Sequence, residues 1–198
     1  MRVITKRNQN ILSQEVKCEI GKRIKSLREN KCLSQEDLSG ELAISKNSFG
    51  EIERGKSALK LSTALAISCF FNVTTEWLFK GKKLIFTPEM IKMLLSFGSH
   101  KAKIQTYVNA PDENFITTIT PEQKQEIGER IMTLRKIRSL SRKCLALEIH
   151  IKEDSLSDIE YGKSEAKTVN ILAISEFFNV PTDWLLKGEK IFYEDMYI

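Results

Sequence analysis

Val16, Ile20, Ile24 and Leu27 follow one another at spacings of four, four and three, which places them on one face of a helix. Ser34 then stands before QEDLSGEL with Asp37 three residues on, the pattern in which a hydroxyl and a carboxylate satisfy the first free amides of a helix. A short break at Ala43-Ile44 follows, and Ser45 opens KNSFGEIER. Gly55 closes that helix, because a left-handed residue costs nothing without a Cβ. Residues 61–71 are mostly apolar and predict a buried helix, and Thr74 or Thr75 starts a last short one ending at Gly81. Periodicity and punctuation thus give five short helices separated by tight turns.

The same pattern returns 107 residues later. Residues 20–81 align with residues 127–188 without a gap and share 31 of 62 positions, among them Gly21/Gly128, Gly55/Gly162, Trp77/Trp184 and Gly81/Gly188. Two such copies mean a tandem of domains with one fold. Thr120-Pro121-Glu122-Gln123 opens the second copy with an N-cap, a proline at the first helical position and a glutamine at the third. The expected fold class is all-α: an N-terminal arm (1–14), a first five-helix bundle (15–86), a connector of 34 residues (87–120) and a second bundle (121–198). Each bundle of roughly 65 residues is close to the smallest that can bury a core of its own. Within the connector, Thr87-Pro88 opens a candidate short helix through Ser96, and residues 115–119 favour extended backbone.

Charge divides the two halves. Residues 1–86 carry 16 Lys+Arg against 9 Asp+Glu, whereas residues 121–198 carry 12 against 14. That asymmetry suggests that the first half meets a polyanion and the second need not. The four cysteines (Cys18, Cys32, Cys69, Cys144) form no CxxC pair, each aligns with another residue in the opposite copy, and the histidines are two. No metal site, disulfide framework or cofactor is expected. A redox role for Cys32 beside Lys31 is conceivable, and free thiols in a reducing compartment are the simpler reading. His150 falls in a turn, where a surface histidine is the ordinary answer. Phe70-Phe71, Phe177-Phe178, Trp77 and Trp184 read as core. The basic first residues lack an apolar stretch and no window approaches a membrane span, so a cytoplasmic protein with no membrane partner is expected. The apolar stretches after each final glycine (84–86 and 191–198) read either as cover for their own domain or as a dimer contact, with a slight preference for the latter.

The stretch SQEDLSGELAISKNSFGEIERGK, with IGKRIKSLRENKCL before it and the helices after it, resembles the helix-turn-helix domain of the Cro and phage-repressor family over residues 15–82, and residues 122–188 resemble it over the same span. The resemblance implies sequence-specific binding of double-stranded DNA, transcriptional regulation, assembly as dimers and no catalysis. No constellation for enzyme chemistry opposes this.

A helix fits the major groove and its first turn lies nearest the base edges. Those positions are Ser45, Lys46, Asn47, Ser48 and, a turn later, Glu51. Asn can pair with adenine, Lys can donate to guanine, and Ser serves as donor or acceptor. Gln35 matches the family residue that bridges phosphate and reading helix, and Arg54, Lys56 and Lys60 lie beyond the helix end in reach of phosphates. Gly50, mid-helix, allows close approach of DNA or is a tolerated surface glycine; both readings stand.

In the second copy the reading positions become Lys152, Glu153, Asp154, Ser155 and Asp158, with Gln35 replaced by Arg142 and Arg54 by Tyr161. Carboxylates can accept from cytosine but meet a dense row of phosphates. Arg142 and Lys163 are the phosphate contacts expected there. The second domain therefore completes a pseudo-dimeric grip or, as favoured here, helps assemble a homodimer, on half-sites about one helical turn apart. Repression by occluding a promoter follows from family habit. The competing function class is a protein-interaction module, antitoxin-like or anti-repressor, whose second domain presents acidic residues 152–160 to a basic protein partner.

Overall fold

In a computed structural model, residues 12–82 and 118–188 are described, and each stretch is one five-helix bundle. The first comprises α1 (Gln14–Asn30), α2 (Gln35–Glu41), α3 (Lys46–Glu53), α4 (Leu61–Phe71) and α5 (Thr75–Lys80). The second comprises α6 (Pro121–Ile137), α7 (Arg142–Glu148), α8 (Glu153–Glu160), α9 (Thr168–Phe178) and α10 (Thr182–Lys187). The expected connector helix at 88–96, the extended segment at 115–117 and the apolar stretches at 84–86 and 191–198 lie outside the described residues.

The punctuation read from the sequence forms as expected. Ser34 and Asp37 make a reciprocal capping box on α2, as do Thr120 and Gln123 on α6. Ser45 caps α3 and Thr74 caps α5. Gly55 follows α3 at φ +68°, and a Cβ there would strike the Cys18 backbone at 2.7 Å, so both the turn and the close approach of α1 exclude a side chain. Gly21 brings α1 down onto the Ile52 and Glu53 carbonyls of α3, and Gly128 does the same for α6 and α8. The core of the first bundle gathers Ile20, Ile24, Leu38, Leu42, Phe49 and Ile67, all 2% exposed or less. Trp184 and Phe178 are buried as expected, while Trp77, Phe70, Phe71 and Phe177 are partly buried and pack against the core. The Phe pairs carry a cation above them, Lys31 at 5.2 Å from the Phe70 ring and Arg138 at 5.1 Å from the Phe178 ring.

Periodicity gives no warning of what joins α1 to α3. Arg28 donates to both Glu53 oxygens at 2.7 and 3.2 Å and to the Leu33 carbonyl at 2.8 Å. Arg135, Glu160 and Leu140 repeat the arrangement in the second bundle. These four charged side chains are buried, and burial is tolerable only because each charge is neutralised and hydrogen-bonded in place.

The two bundles dock through α5 and α10, and equivalent residues meet. Thr75 Oγ1 and Thr182 Oγ1 lie 3.0 Å apart. The Asp183 carboxylate accepts from Thr75 N–H at 2.9 Å and Glu76 N–H at 2.7 Å, so it caps the helix of the other domain. Glu76 returns the contact by accepting from Thr182 N–H at 2.9 Å and its hydroxyl at 3.1 Å. Lys80 Nζ donates to Ser175 Oγ and Lys187 Nζ to Ser68 Oγ, each at 2.7 Å. The serine, lysine, threonine and acidic residues of one side stand 107 positions from those of the other. That is the self-complementary pattern of a two-fold dimer, made here within a single chain. Thr75, Thr182 and Asp183 are wholly buried, which keeps water from competing for these bonds.

Candidate nucleic-acid interface

The first bundle presents α2 and α3 as a helix-turn-helix. Leu42 ends α2, Ala43 takes a left-handed backbone at φ 47° and α3 begins after Ser45, so the chain turns sharply within three residues. Phe49 and Ile52 anchor one side of α3 in the core, and Lys46, Asn47, Ser48 and Glu51 remain exposed on the other.

These expected reading residues are not equally available. Ser45 accepts from Ser48 N–H at 3.2 Å and donates to Ser48 Oγ at 2.8 Å, so its hydroxyl holds the helix end. Glu51 accepts from Ser57 Oγ at 2.8 Å. Lys46 is paired with Glu36 of α2 at 2.9 Å, with both side chains well exposed. Asn47, exposed on the first turn, has no hydrogen bond from its side chain to another described residue. An exposed pair such as Lys46–Glu36 holds by about 1 kcal/mol or less, within what a guanine contact can displace. Glu36→Gln is therefore expected to tighten DNA binding several-fold at low salt, the gain shrinking as salt rises; a titration at two ionic strengths checks it.

Gln35 donates through Nε2 to Glu53 at 2.6 Å and so extends the buried Arg28–Glu53 pair to the surface. Arg54 lies across Gly50: a Cβ on Gly50 would stand 3.0 Å from Arg54 Nη1 and 3.4 Å from the Gln35 oxygen. Neither reading of Gly50 named this contact. The glycine is buried beneath a guanidinium, and its missing side chain leaves Arg54 room to lie over the helix. Lys56 and Lys60 are exposed beyond the end of α3 and form no ion pair among the described residues.

In the second bundle the guanidinium comes from the other helix. Arg142, at the start of α7, donates to Glu160 through Nε at 2.7 Å and to the Tyr161 hydroxyl through Nη2 at 2.7 Å, with its carbon 4.8 Å above the Tyr161 ring. The hydrogen bond it donates to Glu160 pushes the Arg142 pKa above its ordinary value, as the one to Glu53 does for Arg28. The substitutions Gln35 to Arg142, Gly50 to Ser157 and Arg54 to Tyr161 belong together. Each copy keeps one guanidinium at this edge, laid over Gly50 in the first domain and clamped by Glu160 and Tyr161 in the second. Lys163 stands 5.9 Å over the same tyrosine ring.

The carboxylates of α8 have a local cause as well. Its N-cap is Lys152, which makes no side-chain cap, whereas Ser45 caps α3. Glu153 and Asp154 sit in the first turn, where negative charge meets the partial positive charge of the free amides. Acidity at this helix end replaces the lost hydroxyl. Sequence reasoning missed the Arg28–Glu53 and Arg135–Glu160 pairs and the role of Tyr161. The usable signal was that Arg28 and Glu53 recur unchanged as Arg135 and Glu160 although half of the aligned positions differ.

The helix-turn-helix domain family model matches residues 21–84 and again residues 128–191, together well over half of the chain. The chain belongs to that helix-turn-helix family, twice over. Similarity extends to the HTH-type transcriptional activator BcrR of Enterococcus faecalis, 34% identical over 71 residues, which are 36% of this chain and 35% of that protein. The chain thus spans about a third of the length of that curated relative. No solved structure matches it at a significant level. Among the described residues no helix is long and apolar enough to cross a membrane, and no cluster of His, Cys, Asp and Glu is arranged to hold a metal.

Proposed function

We propose that this chain is a sequence-specific DNA-binding transcriptional regulator in which the first domain reads the operator. The exposed first turn of α3, anchored by Phe49 and Ile52 and bordered by Arg54, Lys56 and Lys60, is the observation that carries the reading. Lys46 and Asn47 supply the base contacts, with Ser48 and Glu51 beside them and Ser45 acting through the helix cap. Gln35 and Arg54 flank the groove at the phosphates. We read the two-domain unit itself as the dimer-like reader in place of the expected homodimer, because the α5 surface suited to self-assembly is occupied by α10. Occlusion of a promoter, hence repression, is the simplest action of such a unit, although the relative it resembles is named an activator; a reporter fused to the bound promoter separates the two.

The experiment is site selection from random duplexes with the full chain and with the Lys46→Ala/Asn47→Ala variant. The wild type is expected to enrich one defined element. Each lost contact should remove roughly 1–3 kcal/mol of discrimination, leaving salt-dependent nonspecific binding. Specificity surviving both substitutions would overturn the assignment of α3. Capture of a protein partner by the face of residues 152–160, with no DNA element enriched, would favour the protein-interaction module instead.

A further inference from the structure

The repeat separates charged residues with a structural task from those without one. Arg23 and Arg130 bind the carbonyl ends of α5 and α10, Arg28 and Arg135 bind the buried glutamates, and Lys80 and Lys187 cross the domain interface. Lys56/Lys163 and Lys60/Lys167 also recur unchanged, yet all four are exposed and none makes an ion pair among the described residues. Glu41 and Glu148, the remaining repeated charges, lie at the far end of α2 and α7.

The placement of these lysines is informative. Lys60 and Lys167 immediately precede α4 and α9, and both border one cleft lined by residues 58–61 of the first domain and 165–169 of the second. Thr168 Oγ1 bonds to the Leu59 carbonyl at 2.6 Å across that junction and fixes the two segments together. Lys56 and Lys163 lie four residues upstream, at the ends of α3 and α8. Chain order and the repeat thus set out a row of four, with Lys56 and Lys60 on the first-domain side of the cleft and Lys167 and Lys163 on the second. Glu165, facing Ala58 in the repeat, is the carboxylate at the cleft.

We infer that this row is one continuous surface for the sugar-phosphate backbone between the two half-sites, through which the second domain grips DNA without reading it. The inference rests on the function proposed above and extends it. The operator is then asymmetric, with one half read by α3 and the other half, under α8, free in sequence. Cations with no carboxylate partner among the described residues fit phosphates, and the α5–α10 docking presents both halves of the row to one duplex. The clamped Arg142 and the carboxylates that serve the α8 terminus leave the second domain poorly equipped to distinguish bases.

Full-length Lys163→Ala/Lys167→Ala and Lys46→Ala/Asn47→Ala variants, titrated against the selected duplex over a range of salt, test this. Loss of two phosphate contacts should lower the slope of log affinity against log salt by roughly 1.8, and affinity by roughly 30-fold near 0.15 M salt, with base preference unchanged. Randomising the half under α8 should cost the wild type almost nothing. An unaltered slope would overturn the inference while the reading by α3 stands, provided the Lys46/Asn47 variant still loses specificity. A preference in that half which changes with Asp158→Asn would overturn it too, by showing that α8 reads. If the Lys46/Asn47 variant keeps full specificity, the failure lies in the proposed reading helix.

Discussion

Glu160→Ala is expected to unfold the second domain under conditions in which the first remains folded. Glu160 is 1% exposed and is the common acceptor of Arg135 and Arg142, so its removal leaves two guanidinium groups without their counter-charge, one of them buried. Breaking a buried pair from one side costs about 3–5 kcal/mol, a large part of what a domain this small has in reserve. The matching change Glu53→Ala strands only Arg28, because the second ligand there is the neutral Gln35, and the loss should be smaller. The chain has two tryptophans, Trp77 in the first domain and Trp184 in the second, so each domain has its own fluorescent reporter. Urea unfolding of Glu160→Ala in a Trp77→Phe background should show the Trp184 transition at much lower denaturant. A shift equivalent to less than about 1 kcal/mol would show that the second domain is held by its apolar core and that the ionic triad adds little.

Uncoupling the domains should have the largest effect on DNA binding. In Glu76→Ala/Asp183→Ala, α5 and α10 each lose the carboxylate that caps them from the other side, at about 0.5–2 kcal/mol per cap, and four hydrogen bonds vanish from a buried interface. The connector then joins two independently moving domains, and the second contributes only through its effective concentration. Affinity is expected to fall by roughly one to two orders of magnitude, toward that of residues 1–86 alone, with a shallower salt dependence. The distance distribution between labels on the two domains should broaden in the same variant. Unchanged affinity alongside a broadened distribution would mean that the docking does not serve DNA binding. An unchanged distribution would mean that Lys80–Ser175, Lys187–Ser68 and Thr168–Leu59 suffice to hold the domains.

The helices were legible because their signals are local. Ser34 with Asp37, Thr120 with Gln123, Ser45, Thr74 and Gly55 act on backbone groups within four residues, and each cap formed where the sequence placed it. The exposed face of α3 was legible for the same reason, since the alternation of Phe49 and Ile52 with Lys46, Asn47, Ser48 and Glu51 assigns sides of one short helix. What those side chains do when DNA is absent was not legible. Lys46 meets Glu36, Ser45 meets Ser48, and Arg54 rests over Gly50, because α2 and α3 pack at an angle that residue order does not state.

The acidic second helix shows that charge at a helix end can serve the helix itself. From composition, Glu153, Asp154 and Asp158 suggested a basic partner. In place, two of them stand at a helix terminus that lacks a capping hydroxyl, and the charge is stabilising without any partner.

The sequence alone determined two copies of one five-helix fold, their caps and turns, and which face of each third helix is exposed, since all of these follow from the repeat and from contacts between near neighbours. Tertiary structure alone decided that the copies dock through α5 and α10 about a pseudo-two-fold axis, that Glu53 and Glu160 anchor different partners, and that Lys60 and Lys167 border one cleft. Those outcomes depend on groups 18 to 119 residues apart, and their approach is set by the geometry of packed helices, which no short-range pattern encodes.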